Sequence, residues 1–153
     1  MNTFDEDLNV GQNAEQDVLK LLQTQYPSAF IVPGYCKEMD IFVPEILKGY
    51  EVKQDFKSKY TGNLVVEISM YGNPSALMTS KADTWVFVTP SKYVFIARER
   101  IKDCIIENNL QFVTFVGKGD DEPKDAYLIK EDLLLPYSYK ILNYETNATS
   151  TQT

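Results

Sequence analysis

The sequence predicts an α/β domain with a mixed central β-sheet flanked by helices. Three observations predict it. A helical apolar stripe lies near the N-terminus, formed by Val10, Ala14, Val18, Leu19, Leu21 and Leu22. Short runs rich in β-branched and aromatic residues follow: EMDIFV, LKGYEVKQ, LVVEIS, WVFVT and YVFIA. The first of these runs are joined by short turns, which makes them hairpins and argues against a regular doubly wound parallel sheet.

The elements follow in order. Residues 5–25 read as the first helix, with Pro27 just beyond its end. Residues 28–32 are a short strand punctuated by Gly34. Residues 38–43 form a second strand, stopped by Pro44, and residues 47–54 a third. Thr61-Gly62-Asn63 marks a turn before a strand at 64–69. Gly72-Asn73-Pro74 opens a short helix that runs to about Lys81. Strands at 85–89 and 93–97 flank a turn at Pro90-Ser91-Lys92, and a helix follows at 98–108. Residues 112–116 and 127–130 read as strands on either side of an exposed acidic loop, KGDDEPKD, at 118–125. Residues 1–142 read as one domain, and the polar stretch 143–153 as a disordered tail.

Composition narrows the chemistry. The chain of 153 residues contains no histidine. That excludes Ser-His-Asp and Cys-His catalysis, histidine zinc sites and a histidine general base. Hydrolytic chemistry must then use carboxylates, lysine, tyrosine or a metal held by oxygen ligands. The net charge is −7, so nucleic acid can be bound only through a local patch or with divalent cations. The two cysteines are too few for a disulfide framework and read as free thiols. MNTFDEDLNV lacks the basic and then apolar pattern of a signal peptide, and no apolar run is long enough to cross a bilayer. The expectation is a cytoplasmic protein without membrane contact. There is no GxGxxG and no GxxxxGK[ST].

The stretch GYEVKQD at 49–55 carries the main chemical signal. Alternation puts Glu51 and Lys53 on one face of a strand and Val52 on the other. By itself this is compatible with a solvated strand face on which the charges neutralise each other. Asp40 changes the weighing. It lies between Met39 and Ile41 in the preceding strand, where aspartate is a poor strand former. The turn at 44–47 folds that strand back along the next, so a suitable register would bring Asp40 and Glu51 together. Two such carboxylates repel unless a cation lies between them, and Mg²⁺ prefers this kind of oxygen site. A nearby lysine can stabilise an anionic transition state.

Asp40 followed by Glu51-Val52-Lys53, after a helix carrying Glu15, resembles the PD-(D/E)xK nuclease superfamily. The spacing is closest to Holliday-junction-resolvase-like members, and TGNLVVEIS with PSALMTSKADTWVFV is similar to phage-encoded ones. Met39 stands where the signature's proline would be. The resemblance implies a restriction-endonuclease-like αβββαβ core. It implies Mg²⁺ (or Mn²⁺) held by Asp40, Glu51 and the Val52 carbonyl, with Lys53 catalytic and Glu15 supporting the metal. It further implies a DNA endonuclease, acting on branched or junction DNA, working as a homodimer or with a partner protein and, if phage-encoded, in the host cytoplasm. Lys57, Lys59 and Lys81 are the candidate DNA contacts, with ordinary exposed lysines as the alternative. Glu67 could share the same face or pair with a lysine, and Asp83 reads as a structural hydrogen-bonding residue. The rival expectation is a non-catalytic protein-interaction module of the phage accessory type on the same fold, which the acidic loop and polar tail also suit.

Overall fold

A computed structural model describes residues 14–34, 38–55, 62–70, 72–116 and 123–143. Residues 14–23 are helical (α1). Then come β1 (Phe30–Ile31), β2 (Ile41–Val43), β3 (Lys48–Gln54), β4 (Asn63–Met70) and β5 (Asn73–Pro74). A 3₁₀ turn (Ala76–Met78) leads to β6 (Thr84–Val88), β7 (Lys92–Ala97) and α2 (Arg98–Glu107). The chain continues through β8 (Val113–Val116), β9 (Pro123–Lys130), α3 (Glu131–Leu134), a second 3₁₀ turn (Leu135–Tyr137) and β10 (Lys140–Asn143).

The described strands make two sheets. The first is six-stranded and mixed, in the order β1-β2-β3-β6-β7-β10. Its pairings are antiparallel except for β3 with β6, which run parallel. The second is antiparallel, in the order β5-β4-β9-β8. The α/β class and the mixed sheet agree with the sequence reading; the second sheet was not foreseen.

The sheet faces explain the strand sequences. Both faces of β6, TWVFV, are covered, so it needs no polar alternation. Val86 and Val88 join Tyr50, Ile41, Val43 and Phe95 under the buried side of α1, Ala14, Val18 and Leu22. Trp85 and Phe87 join Val94 and Ile96 on the opposite face, beneath α2 and the inward residues Leu64 and Val66 of β4. Burying Trp85 and Phe87 completely contributes several kcal/mol of transfer free energy, on the order of 2–3 for each ring.

Three segments differ from the sequence expectation. The helix expected at 72–81 is β5 and a single 3₁₀ turn. Ser75 is extended and donates its N–H to the Ile68 carbonyl, and Ala76 adopts φ +43, which no α-helix permits. Leu77 is the buried anchor of this segment. β9 begins at Pro123, so the last residues of the expected acidic loop belong to a strand, and residues 117–122 lie outside the described residues. α3 and β10 were not read from the sequence at all. Of the tail expected to be disordered, 143–153, Asn143 is the last residue of β10; residues 144–153 and the first part of the expected N-terminal helix, residues 5–13, lie outside the described residues. No helix among the described residues is long and apolar enough to cross a membrane.

Candidate functional site

The β2–β3 register fixes the end of the hairpin on which Asp40 lies. Ile41 lies opposite Tyr50, Phe42 opposite Gly49 and Val43 opposite Lys48. Extending that register by one residue puts Asp40 opposite Glu51. The backbone there departs from a regular ladder, because Asp40 donates its N–H to the Tyr50 carbonyl at 2.9 Å. Beyond β2, the inner edge of β3 would expose the Val52 amide. The Asp40 carboxylate fills that place, with Oδ2 accepting the Val52 N–H at 2.7 Å. Asp40 is only 7% exposed, so an unsatisfied carboxylate would be costly there. This bond gives the aspartate a structural reason to sit between apolar neighbours.

Glu51 and Lys53 occupy the face that Trp85 and Phe87 share, since Glu51 is paired with Trp85 and Lys53 with Phe87 in the parallel β3–β6 register. Lys53 Nζ lies 3.4 Å from Glu51 Oε2 and 5.4 Å from the centroid of the Trp85 ring. The lysine stem lies along the margin of the core while its ammonium stays partly in water. At this exposure the ion pair contributes at most about 1 kcal/mol.

A cleft of about 230 Å³ opens above these residues, lined by Glu38, Glu51, Lys53, Glu67, Ala76, Thr79 and Ser80. Glu67 reaches it from β4 beside a register shift between Glu67 and Ser69, the kind of bulge that redirects side chains. Its Oε2 accepts the Ser75 hydroxyl at 2.6 Å. Ser80 Oγ accepts the Trp85 indole N–H at 3.3 Å and the Ala82 N–H at 3.2 Å, so the core ring and the cleft wall are tied together. Sequence reasoning left Glu67 outside the site and did not identify Glu38, Thr79 or Ser80. The signal for Glu67 was weak, because β4 belongs to the other sheet and no strand pairing with β3 announces its approach.

The other expected residues fall elsewhere. Glu15 lies on α1, which covers the Tyr50–Val86 face rather than the Glu51–Lys53 face, and it does not line the cleft. Lys81 is exposed and also outside the cleft lining; its backbone N–H donates to the Glu38 carbonyl. Lys57 and Lys59 lie outside the described residues. Asp83 has the structural role expected of it. Its Oδ2 accepts the Gly49 N–H at 2.8 Å, and its own N–H donates to the Gly49 carbonyl. Gly49 also permits a close approach, since a Cβ there would overlap the Met39 thioether.

Mg²⁺ needs oxygen donors and keeps several waters, so two carboxylates and a carbonyl can suffice. Asp40, Glu51 and the Val52 carbonyl supply that donor chemistry at the end of the β2–β3 hairpin. Among the described residues no group of three or more His, Cys, Asp or Glu side chains is arranged to hold a metal ion. A cation here would therefore depend on the main-chain carbonyl and water as well as the two carboxylates. No known family, curated protein or solved structure matches the chain.

Proposed function

We propose that this chain is a divalent-metal-dependent endonuclease that hydrolyses DNA phosphodiester bonds, of the PD-(D/E)xK type. One observation carries the proposal: at the end of the β2–β3 hairpin the Asp40 carboxylate accepts the N–H of Val52, the residue next in sequence to Glu51 on β3. That supports the proximity of Asp40 and Glu51 that the resemblance implies. The element order of helix, three strands, crossover and further strand also supports it. The departure is that the crossover carries β4, β5 and a 3₁₀ turn where the αβββαβ order has a helix.

Asp40, Glu51 and the Val52 carbonyl would hold Mg²⁺ or Mn²⁺. When bound, the ion supplies charge neutralisation at the phosphoryl group and a more acidic water. Lys53, oriented by Glu51 and Trp85, places its ammonium where it can orient the attacking water or stabilise the anionic transition state. Glu67 and Glu38 add negative charge to the cleft, which increases its dependence on a cation before a phosphate can enter. The proposed site rests on Asp40, Glu51 and Lys53; Glu51 and Lys53 line the cleft, whereas Asp40 and Glu15 do not. Branched or junction DNA is the substrate class inferred first, from the resolvase-like spacing. Paired cuts on such DNA favour a homodimer.

A second reading is a non-catalytic interaction module. It is favoured by the fact that the signature groups have partners within the protein: Asp40 with the Val52 amide and Glu51 with Lys53. A cleavage assay separates the two. Wild type and Lys53→Ala are incubated with supercoiled, linear, single-stranded, flap and four-way-junction DNA, with Mg²⁺, Mn²⁺ or EDTA. The nuclease predicts cleavage that disappears with EDTA and in the variant. Folded wild type that cuts none of these substrates refutes it.

A further inference from the structure

The described residues present four sheet edges: β1, β10, β5 and β8. Exposed edges invite pairing with another chain, and native proteins usually blunt them. β1 and β5 are two residues long, and β5 contains Pro74. β10 starts with Lys140, whose ammonium lies over the Phe95 ring. β8 has no such device. It reads Val-Thr-Phe-Val, all four residues are exposed, and only β9 pairs with it among the described strands.

The surface continues beyond the edge. Cross-strand partners share a sheet face. Val113 pairs with Ala126 and Val65 with Leu128, and Phe115 alternates onto the same face as Val113. Val65, Leu128, Val113 and Phe115 are all exposed there. Residues 108–117, NNLQFVTFVG, carry no charge in a chain of net charge −7. Lys124 of β9 flanks this strip as the cross-strand partner of Phe115, but the strip itself carries no charge. It is where two acidic copies of this chain can approach with least repulsion.

We propose that β8 is a homodimerisation edge, at which two copies pair antiparallel about a two-fold axis and join their second sheets into one. The sequence is self-complementary in that arrangement. With Thr114 on the axis, it lies opposite Thr114 of the second copy. Val113 then faces Phe115 of the second copy twice over, on the same outer face. Threonine pairs and aromatic with β-branched pairs are both favourable across strands. A four-residue edge is small beside the ~800 Å² per partner of a standard interface, so the dimer is of modest affinity and dissociates on dilution. This inference does not rest on the nuclease reading.

The test is sedimentation velocity on the full chain across a concentration series, with circular dichroism as a folding control. Wild type shifts from monomer to dimer as concentration rises. Phe115→Lys, folded, raises the dissociation constant by about tenfold or more, whereas Leu47→Lys, on the exposed β2–β3 turn, leaves it unchanged. In a Cys36→Ser background, Thr114→Cys oxidises to a covalent dimer, because opposed Cα atoms lie within disulfide reach. Thr24→Cys does not. A wild type that stays monomeric throughout overturns the proposal, as does a dimer that Phe115→Lys leaves intact or that Thr114→Cys fails to cross-link. If Phe115→Lys does not fold, the cross-link pair decides alone.

Discussion

Removing the Asp40 side chain should destabilise the protein whether or not it is an enzyme. In Asp40→Ala the Val52 N–H loses its 2.7 Å acceptor at a site that is only 7% exposed. Leaving such a donor unsatisfied costs about 1–3 kcal/mol. Asp40→Asn retains a carbonyl oxygen that can accept the same N–H. It exchanges a charge-assisted bond for a neutral one, a loss of about 1 kcal/mol. With a urea slope of about 2 kcal/mol/M, the alanine variant should unfold at roughly 0.5–1.5 M lower urea, with asparagine between it and wild type. The chain's single tryptophan, Trp85, is fully buried and supplies the fluorescence signal. An Asp40→Ala midpoint that matches wild type within about 0.5 kcal/mol would refute the assigned role of this carboxylate. The ranking matters for function too. Asp40→Asn keeps the fold, so under the proposed function it should lose metal-dependent cleavage at a temperature where it remains folded.

Further expectations follow from the same geometry. Lys53→Ala should change stability by no more than about 1 kcal/mol, since its ion pair is partly exposed, yet lower single-turnover cleavage by about 10²–10³-fold; parallel losses in the two measurements would contradict it. Gly49→Ala should cost no more than about 1 kcal/mol, because the overlapping Met39 thioether is the flexible end of its side chain and can turn aside, and any loss should shrink in a Gly49→Ala, Met39→Ala double variant, read from urea unfolding. Asp125 is held below its ordinary value of 3.8 by the Ser69 hydroxyl and then the Thr114 hydroxyl, and Glu45 is lowered chiefly by the Ser28 backbone N–H. A depressed carboxylate contributes stability that is present above its unfolded pKa and lost as pH falls through the folded value. The stability these two carboxylates contribute should therefore start to fall as pH drops through the ordinary carboxylate range and be gone below their lowered folded values, and NMR titration of Ser69→Ala should show the Asp125 pKa moving upward. Burial, followed by Tyr139, pushes the Tyr50 phenol above its ordinary value of 10.0. That contribution is complete below pH 10 and is lost as pH rises towards the folded pKa, so Tyr50→Phe should flatten the alkaline loss of stability seen by circular dichroism.

The strands of the first sheet were legible because their chemistry is redundant. TWVFV and YVFIA carry β-branched and aromatic residues at nearly every position, and Pro44 and Pro90 mark where the chain must leave a strand. The segment at 72–81 misled for the opposite reason. SALMTSK has helical propensity, but Leu77 is drawn into the core and Ser75 donates its N–H to the Ile68 carbonyl, and tertiary contact outweighs a weak local preference. The second sheet was hidden because β4 and β9 pair across more than fifty residues, and nothing local in LVVEIS states which partner it will take. The same ignorance kept Glu67 out of the expected site.

The legible part of the site has a sharper lesson. Glu51 and Lys53 were visible as an alternation, and Asp40 as an aspartate out of place between Met39 and Ile41. Whether Asp40 meets Glu51 depended on one residue of register, because a slip by one would turn the whole strand over. The register is set by burial: Ile41, Val43 and Tyr50 must all face α1, and that choice carries Asp40 to the end of the hairpin beside Val52. The apolar residues thus position the charged ones. A substitution that altered the inward pattern of β2, such as exchanging Ile41 and Phe42, should disturb Asp40 without touching it. Its signature would be the lost protection of the Val52 amide in hydrogen exchange while the β6 and β7 amides stay protected. If the Val52 amide kept its protection, burial of the β2 side chains could not be what fixes the site.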